Sequence, residues 1–135
     1  MALHIIKLCV GCDTVDELLQ WRREQGTGQP WVLRTRMTPK RIGEVLDGGS
    51  LFRVFKGFVL CRQKILAIDT IGSGPASRCE MTLESKPVLV APIPRRPFQG
   101  WRYLDAKEAP EDLHDVQEGG APPELAKALR ELGAW

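Results

Sequence analysis

The sequence lacks the long apolar runs that mark membrane and secreted proteins. Its longest apolar runs, such as Phe58–Cys61 and Val88–Pro92, have the length of strands, far short of the ~20 residues that span a bilayer. The first residues lack the basic segment and long apolar segment of a secretory signal. We therefore expect a cytoplasmic protein that has no membrane partner.

Motifs for catalysis and cofactor binding are also scarce. His4 and His114 are the only histidines, and neither has the spacing of a metal site. The glycines in Gly48–Ser50 and Gly72–Gly74 lack the following lysine of a phosphate-binding loop and the spacing of a dinucleotide fingerprint. No catalytic residue and no cofactor is predicted, and an enzyme is the less favoured interpretation.

The chain has only four cysteines, of which Cys9 and Cys12 form a CxxC pair. Such a pair can bind zinc or exchange disulfides. A structural zinc site needs four ligands, yet Cys61 and Cys79 lie in strand patterns and no second CxxC exists. A helix start at Thr14 keeps a redox role open. The favoured interpretation is that Cys9 and Cys12 are simply small apolar residues at the end of a strand. No metal site is predicted.

Size and composition indicate one soluble domain. The chain has 135 residues, of which 43% are hydrophobic and 27% charged, as in an ordinary globular protein. A domain of this size buries roughly two-thirds of its unfolded surface, which is enough for one core. We predict a single domain over residues 1–135.

The net charge of +2 conceals two unequal parts. Residues 1–104 carry 16 basic and 9 acidic side chains, whereas residues 105–135 carry 3 basic and 8 acidic ones. We therefore describe a basic α+β body over 1–104, followed over 105–135 by an acidic loop and a C-terminal helix that opens at Pro122–Glu124. This asymmetry indicates a polyanionic partner or a tail that shields the basic surface. An ordinary surface with uneven charge is the alternative.

Local patterns predict helices in the first third and strands in the middle. Thr14 caps a helix over residues 15–25, with Glu17 completing a capping box. A second helix starts at Thr38-Pro39 and places Lys40 and Arg41 in its first turn. Strands are predicted at His4–Val10, Trp31–Arg36, Leu51–Lys56, Phe58–Asp69, Cys79–Leu83 and Pro87–Ile93. This order is typical of an α+β protein with a small curved sheet or open β-barrel and flanking helices.

The strongest functional signal is a concentration of positive charge. Arg34 and Arg36 share one face of a strand. Cations in the first turn of a helix oppose its dipole, so a bound anion would stabilise Lys40 and Arg41 there. Further basic residues of the same region are Arg53, Lys56, Arg62 and Lys64.

A second basic segment contains interleaved aromatic residues. Arg95, Arg96 and Arg102 are interleaved with Phe98, Trp101 and Tyr103 along residues 95–103. Arginines bind phosphates and aromatic rings stack on exposed bases, which together suit single-stranded or flipped nucleotides. The alternative is that the rings belong to the core and the arginines form a solvated rim.

Several segments resemble the bacterial family of unknown function numbered 1489 (DUF1489). They are Leu3–Gly11, Thr35–Arg41, Leu46–Leu51, Lys56-Gly57 with Arg62-Gln63, and Arg95–Leu104. The order of elements is also similar, in layout more than in letters, to the PUA-related group that includes ASCH and EVE domains. That similarity implies a small β-barrel with flanking helices that binds RNA or modified bases.

We therefore predict a nucleic-acid-binding module, with RNA or a modified or unpaired base as the favoured ligand. Two alternatives remain. One is a small enzyme for a nucleotide or anionic metabolite, with Asp69 or Glu80 beside Arg36. The other is a protein-interaction domain that uses exposed aromatics or the C-terminal helix. No oligomeric state is predicted. The predicted binding residues are Arg34, Arg36, Lys40, Arg41, Arg62, Lys64, Arg96, Trp101 and Arg102.

Overall fold

The computed structural model describes residues 2–12, 14–25 and 31–115. These residues form an α+β fold with one eight-stranded sheet and two α-helices. The helices are α1 (Val15–Gln25) and α2 (Ile42–Leu46). The strands are β1 (Leu3–Leu8), β2 (Trp31–Thr35), β3 (Ser50–Phe55), β4 (Phe58–Ile71), β5 (Arg78–Leu83), β6 (Val88–Pro94), β7 (Trp101–Asp105) and β8 (Asp112–Asp115).

The sheet is curved around its longest strand. Its main path runs β2-β5-β4-β3-β1-β7, and β6 joins β4 to β8. The first half of β4 pairs with β3 and β6, whereas its second half, from Ile65, pairs with β5. All pairs are antiparallel except β1 with β3. The ends of the path, β2 and β7, do not pair with each other, so the described sheet is open.

Each face of the central strands buries its own core, because successive side chains of a strand point to opposite faces. On one face Leu51 and Phe55 pack with α1 residues and with Trp31. On the other, Ile6 and Phe52 are fully buried in a smaller cluster that Phe98 and Ala109 help to cover. No helix within the described ranges is long and apolar enough to cross a membrane.

Helix α1 confirms the predicted span, and its cap forms as expected. The Glu17 backbone N–H donates to Thr14 Oγ1 at 3.1 Å. The hydrophobic side of the helix buries Val15 and Leu18 in the larger core. A cap and an apolar spacing both lie within the helix itself, so both are readable from sequence.

The predicted start of the second helix was wrong, since α2 begins at Ile42. The backbone N–H groups of Lys40 and Arg41 donate to the Tyr103 hydroxyl instead, at 3.1 and 3.2 Å. Thr38 does not cap the helix; its hydroxyl lies 2.8 Å from that of Thr70. Lys40 and Arg41 therefore lie outside the first turn, where the helix dipole would not favour an anion beside them as predicted.

The acidic segment was predicted as a loop, but Asp112–Asp115 forms β8 along β6. An acidic, weakly patterned segment gains this conformation from the unpaired edge that β6 offers. The predicted C-terminal helix and the predicted turn over residues 26–30 lie outside the described residues, as does most of the acidic tail.

Candidate nucleic-acid interface

Three of the nine predicted binding residues already form ion pairs with carboxylates. Arg34 Nε lies 2.8 Å from Glu80 Oε2, and Arg41 Nε is hydrogen-bonded to Glu44. Arg62 binds Asp112. In each case the guanidinium has an anionic neighbour within the chain, so a nucleic acid would have to compete with that carboxylate.

The Arg34 pair lies on the outer face of β2, β5 and β4. Arg34 is the cross-strand neighbour of Glu80, which in turn lies beside Asp69 on β4. The row therefore holds one cation and two acids on a sheet surface. Glu80, which the enzyme hypothesis placed beside Arg36, is bound to Arg34 instead.

The Arg41 pair borders a cavity of about 290 Å³. Hydrogen bonding with Glu44 raises the pKa of Arg41 and lowers the pKa of Glu44. The cavity also contains Asp105 and Lys107, so its charged groups alternate in sign. This mixed lining favours neither an anion nor a cation.

Arg36, Lys40 and Lys64 are exposed and form no ion pair within the ranges described. The first two belong to the loop of residues 36–41, whereas Lys64 lies on β4. They are available cations, but the structure does not gather them around one groove.

Trp101 holds the loop of residues 36–41 to the body. Its indole Nε1 donates to the Met37 carbonyl at 2.8 Å. Its ring meets that of Tyr103 edge-on, with centroids 5.0 Å apart, and both rings pack against the larger core. Because the Trp101 side chain is half-buried and its N–H is occupied, its geometry suits loop anchoring better than base stacking.

Arg102 points away from that loop, because it lies between Trp101 and Tyr103 on the same strand. Its Nη1 donates to the carbonyl oxygens of Gln99 and Trp101 at 2.9 and 3.0 Å. Its guanidinium carbon lies 5.4 Å from the centre of the Phe98 ring. Trp101 and Tyr103 thus lie on one face of the strand, whereas Arg102 lies on the other face beside Phe98.

A second guanidinium reaches the same ring. Arg95 Cζ lies 5.5 Å from the Phe98 centroid, and the Arg95 backbone N–H donates to the Gly57 carbonyl at 2.7 Å. Arg95 and Arg96 line an open groove of about 480 Å³ together with Pro94, Pro97 and Gly57. We call Lys56, Arg95, Arg96 and Arg102 the arginine patch. No carboxylate of the described residues forms an ion pair with any of them.

Lys56 lies in a strained turn at the edge of this patch. Phe55 and Phe58 are cross-strand partners, so Lys56 and Gly57 form a two-residue hairpin loop. Lys56 has φ +45° and Gly57 has φ +88°, as in the type I′ turn that favours Asn-Gly. A non-glycine residue rarely adopts positive φ, and such strain is concentrated at functional sites.

The predicted binding set omitted Lys56 and Arg95. Two sequence signals point to them: the Lys-Gly step between two strand patterns, and the proline-bounded segment Pro92–Pro97 that holds its arginines in an extended chain. These local patterns do not reveal the backbone hydrogen bond that brings Arg95 beside Gly57.

The described residues thus define an α+β protein with a curved open sheet and an unneutralised basic patch at one hairpin. The chain belongs to the family described as "Protein of unknown function (DUF1489)", which matches it over residues 5–135. The resemblance drawn from the sequence segments is therefore confirmed over nearly the whole chain. No curated protein and no solved structure matches it.

Proposed function

We propose that this protein binds single-stranded nucleic acid, with RNA favoured, through the arginine patch. The observation that carries the proposal is the shared Phe98 ring: two guanidinium groups lie 5.5 and 5.4 Å from its centre, and neither forms an ion pair with a described carboxylate. Side chains held in this way lose less conformational freedom on binding than free arginines would.

The chemistry of the patch suits a phosphate backbone. A guanidinium presents planar donors that match phosphate oxygens in two-point contacts. Unstacked RNA bases also stack on guanidinium planes. The open groove beside Arg95 and Arg96 leaves room for an extended strand, which favours a single-stranded ligand over a small enclosed one.

The layout of the sheet supports the same proposal at the level of the fold. A curved open sheet with short flanking helices is similar in arrangement to the PUA-related domains, and we propose that the chain is a relative of that group. On this basis we propose modified or unpaired bases as its ligands and the bacterial cytoplasm as its location.

Titration of the full chain tests the proposal. Fluorescent single- and double-stranded RNA and DNA are titrated at low and moderate salt, and the slope of log affinity against log salt is measured. We expect single-stranded RNA to bind most tightly. Each phosphate contact contributes about −0.7 to the slope for single strands. The double variant Arg95→Ala/Arg96→Ala should therefore weaken binding and reduce the slope by roughly 1.4.

Arg34→Ala combined with Arg36→Ala provides the matched control, because it removes the same charge from a region outside the patch. We expect this control to change affinity much less. Absence of binding at low salt would contradict the proposed function. An equal loss in both double variants would show that net charge governs binding rather than the arginine patch.

A further inference from the structure

Cys9 and Cys12 occupy a turn that suits a disulfide. The chain turns at Val10 and Gly11 between β1 and α1, and Gly11 has φ +87°, as the third residue of a type II turn requires. The first and fourth Cα atoms of such a turn lie within about 7 Å. A disulfide needs roughly 4.4–6.8 Å between its Cα atoms, and a turn of this kind brings two residues at this spacing into that range.

The two thiols differ in exposure. Cys9 is buried and its backbone N–H donates to the Val54 carbonyl at 2.9 Å. Cys12 is half-buried, and the adjacent Val10 is 78% exposed. A solute that approaches this turn therefore meets Cys12 first.

A buried cation with an incomplete set of partners lies behind Cys9. Arg53 is only 6% exposed. Its Nε donates to Gln63 Oε1 at 2.7 Å, and its Nη1 lies 4.0 Å from Cys9 Sγ. Its Nη2 is buried and has no hydrogen-bond partner among the described residues. A buried positive charge is costly without an anion, and Cys9, whose sulfur lies 4.0 Å from Nη1, can become one.

We propose that Cys9 and Cys12 form a reversible dithiol–disulfide pair that exchanges with low-molecular-weight disulfides, with Arg53 as the positioning residue that stabilises the Cys9 thiolate. This redox site is independent of nucleic-acid binding. The proposed function does not use the CxxC pair. The redox site gives a role to this pair and to Arg53, whose buried Nη2 has no hydrogen-bond partner among the described residues.

The exchange proceeds in two balanced steps. The Cys12 thiolate attacks a disulfide RSSR, forms a mixed disulfide, and releases one thiolate that takes up a proton. Cys9 then loses its proton, and its thiolate attacks the Cys12 sulfur and releases the second RSH. The protein dithiol is oxidised to a disulfide while one RSSR is reduced to two RSH.

The groups around Cys9 act on the second step in opposite directions. Burial raises the pKa of Cys9, the Arg53 charge and hydrogen bond lower it, and the neighbouring Cys12 raises it; together they bring the pKa to about 11. Cys61 on β4 is fully buried, and burial raises its pKa to about 12. Cys9 is thus a slow resolving thiol whose reactivity depends on Arg53, and Cys61 stays protonated.

Glutathione disulfide added to the full-length protein tests the pair. We expect mass spectrometry to show loss of two free thiols and a Cys9–Cys12 link, both reversed by dithiothreitol. Cys9→Ser should stop at a stable glutathione adduct on Cys12, whereas Cys12→Ser should stay unmodified because Cys9 is buried. Cys79→Ser, a buried cysteine without a role here, should behave as the parent. A link to Cys61, or adducts without any link, would overturn the proposal.

The contribution of Arg53 is measured in the closure step alone. Arg53→Gln should form the mixed disulfide at the parental rate but close about tenfold more slowly, and Arg53→Lys should restore most of the rate. Equal closure rates would overturn the role of Arg53. If Arg53→Gln does not fold, the pH dependence of the closure rate is measured in the unsubstituted protein. This rate should rise about tenfold per pH unit below the Cys9 pKa of about 11. A rate that does not change with pH would refute a Cys9 thiolate.

Discussion

Arg62 and Asp112 form a two-point ion pair, with Nε to Oδ1 at 2.7 Å and Nη2 to Oδ2 at 2.6 Å. The pair ties β4 to β8 across 50 residues of chain. Arg62 Nη1 also donates to Ser50 Oγ at 3.0 Å, and the Ser50 backbone N–H donates to His4 Nδ1 at 3.0 Å. One polar network therefore links β8, β4, β3 and β1.

The first prediction concerns acid stability. The hydrogen bonds from Arg62 hold the pKa of Asp112 below its usual 3.8. The stabilisation is thus present above that value and lost as pH falls through the lower, folded-state pKa. We expect Asp112→Asn to lower the free energy of unfolding by about 1 kcal/mol at pH 7, because the pair is partly exposed.

Urea denaturation at pH 7 and pH 3 measures the free energy of unfolding of the unsubstituted protein and of Asp112→Asn. The difference between the two proteins should be smaller at pH 3. Glu111→Gln is the matched control, since it removes a neighbouring carboxylate that is not in the Arg62 pair. An Asp112→Asn cost that stays the same at both pH values would show that the carboxylate charge is not its source.

The second prediction concerns His4. Burial, followed by the positive charge of Arg62, lowers the pKa of His4 below 6.5, while Asp112 acts in the opposite direction. The unfolded chain therefore takes up a proton first as pH falls, so the folded state loses stability below pH 6.5 until its own His4 titrates. Unfolding free energies measured from pH 7.5 to 5 should show this loss. His4→Gln, which does not titrate, should remove that part of the slope, and an unchanged slope would contradict the assignment to His4.

The third prediction concerns the loop of residues 36–41. Tyr103→Phe keeps the ring beside Trp101 but removes the hydroxyl that accepts from Lys40 and Arg41. Because water can replace part of this interaction, we expect a loss of only about 1 kcal/mol. Amide hydrogen exchange should accelerate at residues 40 and 41 and stay unchanged in α1. Uniform acceleration across the protein would instead indicate global destabilisation.

Elements that depend on nearby residues were predictable from sequence. Helix α1 has its cap at Thr14 and its apolar face within one segment, and both were found. Helix α2 was placed too early because its preceding N–H groups bond to Tyr103, which lies more than sixty residues along the chain. No pattern within the segment predicts that the Tyr103 hydroxyl will accept these hydrogen bonds. The strand β8 likewise depends on the edge of β6.

The candidate site follows the same division. The alternation of a strand placed Arg34 on one face, but its partner Glu80 is set by the register of β2 with β5, which sequence alone specifies weakly. Charge density along the chain therefore overstated how much free positive charge the surface holds. The concentration of basic residues was real. The neutralisation of Arg34 by Glu80 and of Arg62 by Asp112 was not readable, because these carboxylates are distant in the sequence.

The last prediction separates stability from binding at Lys56. Asparagine adopts positive φ more readily than lysine and is favoured in this turn. Lys56→Asn should therefore raise the free energy of unfolding by up to about 1 kcal/mol, since it relieves strain at φ +45°. If Lys56 contacts a phosphate, the same change should weaken RNA binding and reduce the salt slope by about 0.7.

Lys64→Asn is the control, because Lys64 is an exposed lysine within β4 rather than in the turn, and its loss removes the same charge without relieving strain. Denaturation and RNA titration are measured on both variants. Gained stability with unchanged binding in Lys56→Asn would place Lys56 outside the interface. Lost stability would show that the turn does not strain the lysine. Gained stability with weakened binding would mean that the charge of Lys56 is held in place at a cost in stability, as expected for a functional residue.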